Sequence, residues 1–179
     1  MSKKILVFSA SPRRGGNSDR LCDRFIAGAK AAGHSVEKVF LRDRQINYCT
    51  GCGICSEQGK PCPQHDDMPD LLQRMIDADV IVLATPVYFY TMNAQMKTLI
   101  DRTCSRYTEI RNKEFYFIVT AADTDISAMQ WTIEGFRGFT SCLPGAEEKG
   151  IIYGVGAWKI GEIEQTTAMD EAYQLGKAV

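Results

Sequence analysis

Apolar residues run along the chain in two rhythms. Four short stretches, 5–8 (ILVF), 80–84 (VIVLA), 115–119 (FYFIV) and 151–155 (IIYGV), are nearly continuous in β-branched and aromatic residues. A strand needs such a run when helices cover both faces of its sheet, so these stretches predict buried parallel strands. A fifth run, 36–41 (VEKVFL), is broken by Glu37 and Lys38, as an edge strand would be. Between the runs the spacing turns helical. Leu21, Phe25, Ile26 and Ala29 make one face of a helix that Asn17 or Ser18 can cap and Gly33 can end. Pro69 suits the first turn of a second helix, with Leu71, Leu72 and Met75 inward. Further helices are expected over 93–104, 126–139 and 163–177.

The alternation of five strands with helices predicts an α/β fold with right-handed crossovers. We expect one flavodoxin-like, doubly wound five-stranded parallel sheet over residues 1–179, in the order 2-1-3-4-5, with a cysteine-rich loop after the second strand. Ligands of such sheets sit at the carboxyl ends of the strands beside the point where the strand order reverses. The loops after strands one, three and four should therefore build one pocket.

Composition narrows the partners. A chain of 179 residues, 45% apolar, can bury a full core without staples. With 21 basic against 22 acidic residues it has no general field to hold a polyanion, so nucleic acid and anionic membrane are excluded as first expectations. No apolar run reaches the roughly 18 residues of a membrane span. Residues 1–4 lead straight into a strand, which predicts a cytoplasmic protein without a secretory leader. Seven cysteines are then unusual: in a reducing compartment they are expected to be buried, metal-binding or redox-active.

The loop after strand one, residues 9–18 (SASPRRGGNS), reads as an anion cradle. It offers the hydroxyls of Ser9, Ser11 and Ser18, the Asn17 amide, the Arg13 guanidinium and the N–H groups of a helix start. Gly15 and Gly16 let the backbone approach closely, and Pro12 stiffens the turn. Neither G-x-G-x-x-G nor G-x-x-x-x-G-K-[ST] occurs, which disfavours a dinucleotide Rossmann site and a P-loop. The basic, hydroxylic loop also lacks the acidic residues of a phospho-receiver. After strand three, Pro86-Val87-Tyr88-Phe89-Tyr90-Thr91-Met92-Asn93 carries three aromatics that can stack on a flat ring. One phosphate beside one flat heterocycle fits flavin mononucleotide, FMN.

An ordered set of motifs resembles a known family. Ser9-Ala10-Ser11-Pro12-Arg13 with Gly16-Asn17-Ser18, Cys49-Thr50-Gly51-Cys52-Gly53-Ile54-Cys55, Asp66-Asp67-Met68, Ala78-Asp79, Pro86-Val87-Tyr88, and Lys97 with Asp101-Arg102 are similar to the NADPH-dependent FMN reductases of flavodoxin-like fold, on the branch that includes iron-sulfur flavoproteins. The resemblance implies FMN, with its phosphate on Ser9, Ser11, Arg13, Asn17 and Ser18. It places the isoalloxazine on residues 86–93, which include Phe89, Met92 and Asn93, and on Thr120, Ala121 and Ala122. It also implies a homodimer or homotetramer.

Cys49-x2-Cys52-x2-Cys55-x6-Cys62-Pro63 resembles the ligand run of bacterial ferredoxins, with a longer last gap. A 4Fe-4S cluster, a zinc ion, a redox pair and a packed thiol loop all remain open for it. Cys22, Cys104 and Cys142 fall on predicted helices and are expected in the core. Lys97 and Arg102 are expected to be solvated or interhelical charges, His65 a loop residue and His34 without a partner. Trp131, Phe136 and Phe139 should be core or subunit contacts, and Gly154-Val155-Gly156-Ala157-Trp158 should close the pocket or a contact. The expected function is an FMN oxidoreductase that draws on NAD(P)H or a ferredoxin-like protein and reduces a quinone, flavin or other small acceptor. The alternatives are a non-enzymatic electron carrier between protein partners and a flavin-free nucleotide module.

Overall fold

A computed structural model describes every residue, Met1–Val179. Its strands are β1 (Lys4–Ser9), β2 (Ser35–Phe40), β3 (Val80–Tyr88), β4 (Thr91–Met92), β5 (Glu114–Thr120) and β6 (Glu147–Gly154). Its α-helices are α1 (Asn17–Ala31), α2 (Met68–Asp77), α3 (Ala94–Asp101), α4 (Gln130–Thr140) and α5 (Ala168–Lys177). The parallel strands lie in the order β2-β1-β3-β5-β6, the expected flavodoxin-like topology. The two-residue β4 is an addition, pairing antiparallel with the end of β3.

Both sheet faces are dry, and the strands show why. Leu6, Phe8, Ile81, Leu83, Phe115 and Phe117 point into one cluster with the buried residues of α2, α3 and α4. Their neighbours Ile5, Val7, Val80, Val82, Tyr116 and Ile118 point the other way, into a cluster with α1 and α5. Residues one apart on a strand face opposite sides, so a continuous apolar run is what a twice-covered strand requires. Gly33, with φ 89°, ends the first helix as expected. Gly16 caps it in place of Asn17 or Ser18. No helix is long and apolar enough to cross a membrane.

Two small expectations are corrected. Cys22 is buried, but Cys104 and Cys142 are exposed. Cys104 lies past α3 in the 3-10 turn Arg102–Ser105, five residues beyond buried Leu99 and off the inward face; Cys142 follows the end of α4. Of the α4 aromatics expected in the core or at a subunit contact, Phe136 and Phe139 join the core and Trp131 is exposed, which leaves its expectation standing. The Nδ1 of His34 accepts the Lys3 N–H at 3.1 Å, so it does have a partner.

Cys22 gives a pH prediction. Burial, with Asp19 and Asp23 nearby, pushes its thiol from 9.0 up to about 12. The folded state thus holds a proton that the unfolded chain releases above about pH 9. This contribution is complete below pH 9, erodes above it and is gone by about pH 12. Urea titrations should show stability falling by about 1 kcal/mol for the first pH unit above 9 and about 1.4 kcal/mol for the next, and Cys22→Ala should flatten that slope. An unchanged slope in the variant would assign the alkaline loss to another group.

Candidate functional site

At the carboxyl edge of the sheet, four loops surround a cavity of about 210 Å³. The loop after β1 supplies Arg13, the end of β3 supplies Pro86, Val87 and Tyr88, and β5 and its loop supply Thr120, Ala121 and Ala122. The loop after β6 supplies Ala157 and Trp158. Arg13 joins the first and last of these, its guanidinium donating to the Trp158 carbonyl at 3.2 and 3.3 Å. The last two loops are also knitted together, with Ala157 N–H donating to the Ala121 carbonyl at 3.0 Å and Gly156 N–H to that of Asp123 at 2.8 Å.

The loop after β1 divides its polar groups between shaping and binding. The Ser9 hydroxyl donates to Asp19 Oδ1 at 2.8 Å, and Gly15 N–H donates to Asp19 Oδ2 at 3.0 Å. Lys38 Nζ lies 2.6 Å from the same carboxylate. Burial works against the Lys38 ammonium, but its bonds to Asp19 and Asp23 hold its pKa above the ordinary value. Asn17 is buried and spent: its amide donates to the Ala157 and Lys159 carbonyls, both at 3.0 Å, and its Oδ1 accepts from Gly161 N–H at 3.0 Å. Ser11 Oγ donates to the Arg13 carbonyl at 2.7 Å and accepts from the Arg13 N–H at 3.2 Å. Ser9, Ser11 and Asn17 therefore set the shape of the cradle through their side chains. Left without an acceptor are the N–H groups of Asn17, Ser18 and Asp19 at the start of the 15-residue α1, and the Ser18 hydroxyl has no partner within the chain. Those groups, at the positive end of the helix, are the ones free to meet an anion. Asp19, which organises the cradle, is a residue that the sequence reading missed; its place in the first turn, four residues after Gly15, was the available signal.

The loop after β3 is a hairpin. Tyr88 pairs with Thr91, and the two tip residues Phe89 and Tyr90 have φ 48° and 65°. Two positive φ values mark a type I′ turn, which normally takes Asn and Gly; holding aromatic residues there costs about 1 kcal/mol or more each. Phe89 is fully exposed and Tyr90 largely so, and neither lines the cavity. Asn93 caps α3, accepting from Met96 N–H at 3.2 Å and donating to the Ala10 carbonyl at 2.5 Å, so it fastens this loop to the first. Met92, half-buried, packs on the core cluster.

The cysteine loop lies between β2 and α2 and lends no residue to that cavity. Its neck is pinned. Gln45 and Asp67 exchange bonds of 2.8 and 2.9 Å, and Asn47 N–H donates to Asp66 Oδ2 at 3.0 Å. Arg102, expected as a solvated or interhelical charge, is instead buried, and its Nη1 reaches Asp66 Oδ2 at 2.5 Å with both side chains nearly dry. Burial opposes the Asp66 carboxylate, but Arg102 and the N–H groups of Asn47 and Met68 hold its pKa below the usual range. Lys97 is exposed and pairs with Asp101.

As donors the thiols of Cys49, Cys52, Cys55 and Cys62 suit soft metals, and none is in a disulfide. No three metal-binding side chains converge on a common point, so the loop is not a preformed cage. Gly51, Gly53 and Gly59, all at positive φ, supply the turns by which it can draw its thiols together. Cys104 stands beside Cys55, with Cys49 and Cys62 near; partial burial, then these neighbours, push its thiol pKa up.

Comparison with known proteins follows the same outline. The family model for NADPH-dependent FMN reductase matches residues 3–132. An iron-sulfur flavoprotein of Archaeoglobus fulgidus is 45% identical over 99 residues, 55% of this chain and 44% of that protein. Another, from Methanocaldococcus jannaschii, is 40% identical over 100 residues, 56% of this chain and 51% of that protein. The chain thus spans about half the length of the curated relatives it matches. The solved NAD(P)H:quinone oxidoreductase of Methanothermobacter marburgensis shares the fold, with TM-score 0.77 at 18% identity over 99% of this chain and 96% of that one.

Proposed function

The chain belongs to the NADPH-dependent FMN reductase family, and from that membership we propose that it is a single FMN-binding unit which passes electrons from NAD(P)H or a ferredoxin-like donor to a quinone, flavin or other small acceptor. The observation that carries this reading is the convergence of the loops after β1, β3, β5 and β6 on one cleft, where Arg13, from the loop that leads into the free N–H groups of α1, meets short apolar segments of the other loops. FMN, when bound, supplies the hydride and single-electron chemistry. The chain's own task is placement. Ser18 and the first N–H groups of α1 bind the phosphate, with Arg13 at its side. Pro86, Val87 and Tyr88 on one side, and Thr120, Ala121 and Ala122 on the other, flank the ring. The Ala122 N–H, which has no acceptor in the chain, is free to meet a polar edge of the ring. Trp158 and Tyr88, which both line the cleft, shield the ring from water and present a flat aromatic surface to a planar acceptor.

We further propose that Cys49, Cys52, Cys55 and Cys62 hold a 4Fe-4S cluster. The names of the relatives and the donor chemistry of the loop support this reading. Exposed Phe89, Tyr90, Trp131 and Trp158 favour a homodimer or homotetramer. The experiment is the visible spectrum of anaerobically purified protein, with iron, sulfide and flavin assays, followed by NAD(P)H oxidation with a quinone or ferricyanide. One FMN and about four irons per chain with turnover are expected. A flavin reduced only by protein partners would make the chain a carrier; a colourless protein after FMN is supplied would sink the reading.

A further inference from the structure

The neck of the cysteine loop is held by a side chain from outside it. Arg102 leads the 3-10 turn that follows α3, and its guanidinium reaches both ends of the loop's neck. One nitrogen donates to the Asn47 carbonyl at 2.6 Å, where the loop begins, and to Asp66 Oδ2 at 2.5 Å, where it ends. The other donates to Asp66 Oδ1 at 3.2 Å and lies 3.6 Å from Cys62 Sγ. Asp66 in turn accepts the N–H groups of Asn47 and Met68 at 3.0 and 3.1 Å. The two charged side chains are 2% and 0% exposed.

A dry ion pair of this kind is weak evidence for stability, since desolvation consumes much of the attraction. A hydrophobic contact could close the neck as well. What such a contact could not supply is a fixed positive charge beside one of the four thiol sulfurs. A thiolate-bound iron-sulfur cluster is anionic and becomes more so on reduction, and a buried cation nearby favours the reduced form.

We infer that Arg102 is a positioning residue of the cysteine loop: it clasps Asn47 to Asp66 and sets a buried positive charge against Cys62, raising the reduction potential of the cluster. The charge role rests on the cluster reading above; the clasp does not. Arg102→Gln and Asp66→Asn separate the two. In cluster-free protein both variants break the clasp, and amide exchange at Asn47 and Met68 should quicken at least tenfold while amides of α1 keep their rates. In reconstituted protein the potentials should move in opposite directions. Arg102→Gln leaves Asp66 uncompensated and should disfavour reduction about tenfold, roughly 59 mV for one electron; Asp66→Asn should favour it. A structural defect alone would not give opposite signs. The double variant Arg102→Gln/Asp66→Asn, in which a neutral amide pair replaces the ion pair, should fold if either single variant does not, and should have a potential between the two. Unchanged exchange at Asn47 and Met68 in every variant would overturn the clasp, and potentials that move together or not at all would overturn the charge role. Wild-type protein that takes up no iron would remove the charge role together with the cluster, while the exchange rates would still decide the clasp.

Discussion

Gly28→Ala should destabilise the protein by about 3 kcal/mol or more, the upper end of what overpacking a core costs. Helices α1 and α5 cross with their backbones touching. A Cβ on Gly28 would stand 2.0 Å from the Tyr173 carbonyl oxygen and 2.9 Å from the Lys177 nitrogen, and one on Gly176 would stand 2.1 Å from the Phe25 oxygen. All three obstacles are main chain, so no rotamer change relieves them. The helices must part, and parting exposes Phe25, Ala29, Ala168 and Ala172, which seal one face of the sheet. For a chain of this length the melting temperature should fall by roughly 6–12 °C. Urea denaturation measures the loss directly; a change below about 1 kcal/mol would mean the two helices can separate freely. The effect reaches the cleft as well, because α1 carries the free N–H groups at its other end.

That crossing was invisible in the sequence, and the reason is general. The strands could be read because burial on both faces demands an unbroken apolar run, a local property of residues 5–8, 80–84 and 115–119. The fit of Gly28 against residues 173–177 is a relation between segments almost 150 positions apart, and one glycine within a helical pattern does not disclose it. The β3–β4 hairpin escaped for the opposite reason. Its tip is Phe89-Tyr90, where turn chemistry predicts Asn-Gly, and the local signal was overridden by the pairing of Val87 and Tyr88 with Met92 and Thr91.

The cleft was partly legible. Arg13, Pro86, Val87 and Tyr88, named from loops at the carboxyl edge, and Thr120, Ala121 and Ala122, named from the family resemblance, line one cavity, and Ala157 and Trp158 take the pocket-closing one of the two places expected for the last loop. What the residue types could not disclose was the division of labour. Ser9 and Asn17 are good phosphate ligands by chemistry, but in the fold their side chains bond to Asp19 and to the loop after β6. Arg102 shows the same limit. Its charge suggests solvent, and only the fold reveals that Asp66, thirty-six positions away, makes burial tolerable. Polar side chains declare what they can bond, and topology decides which partner arrives first.

The cradle's shape can be altered without disturbing the helix behind it. Gly16→Ala should weaken FMN binding by a factor of about 10² to 10⁴ while leaving the flavin-free protein within about 1 kcal/mol of wild type. The backbone at Gly16, φ −65° and ψ 166°, is open to alanine, and its carbonyl would still accept the Arg20 N–H at 2.9 Å. The added methyl, however, would stand 2.4 Å from Ser11 Oγ and 3.0 Å from the Arg13 carbonyl oxygen. Ser11 must then swing away and give up both of its bonds to Arg13, so the turn that aims Arg13 and the first N–H groups of α1 loses its brace. Two charge-assisted bonds to phosphate, at about 1.5–3 kcal/mol each, account for the expected loss. Riboflavin supplies the control, because it has the ring and no phosphate. Fluorescence titration should find riboflavin binding nearly unchanged in the variant while FMN binding drops. An equal loss for both ligands would move the phosphate out of the β1 loop and assign the Gly16 effect to the ring end of the cleft.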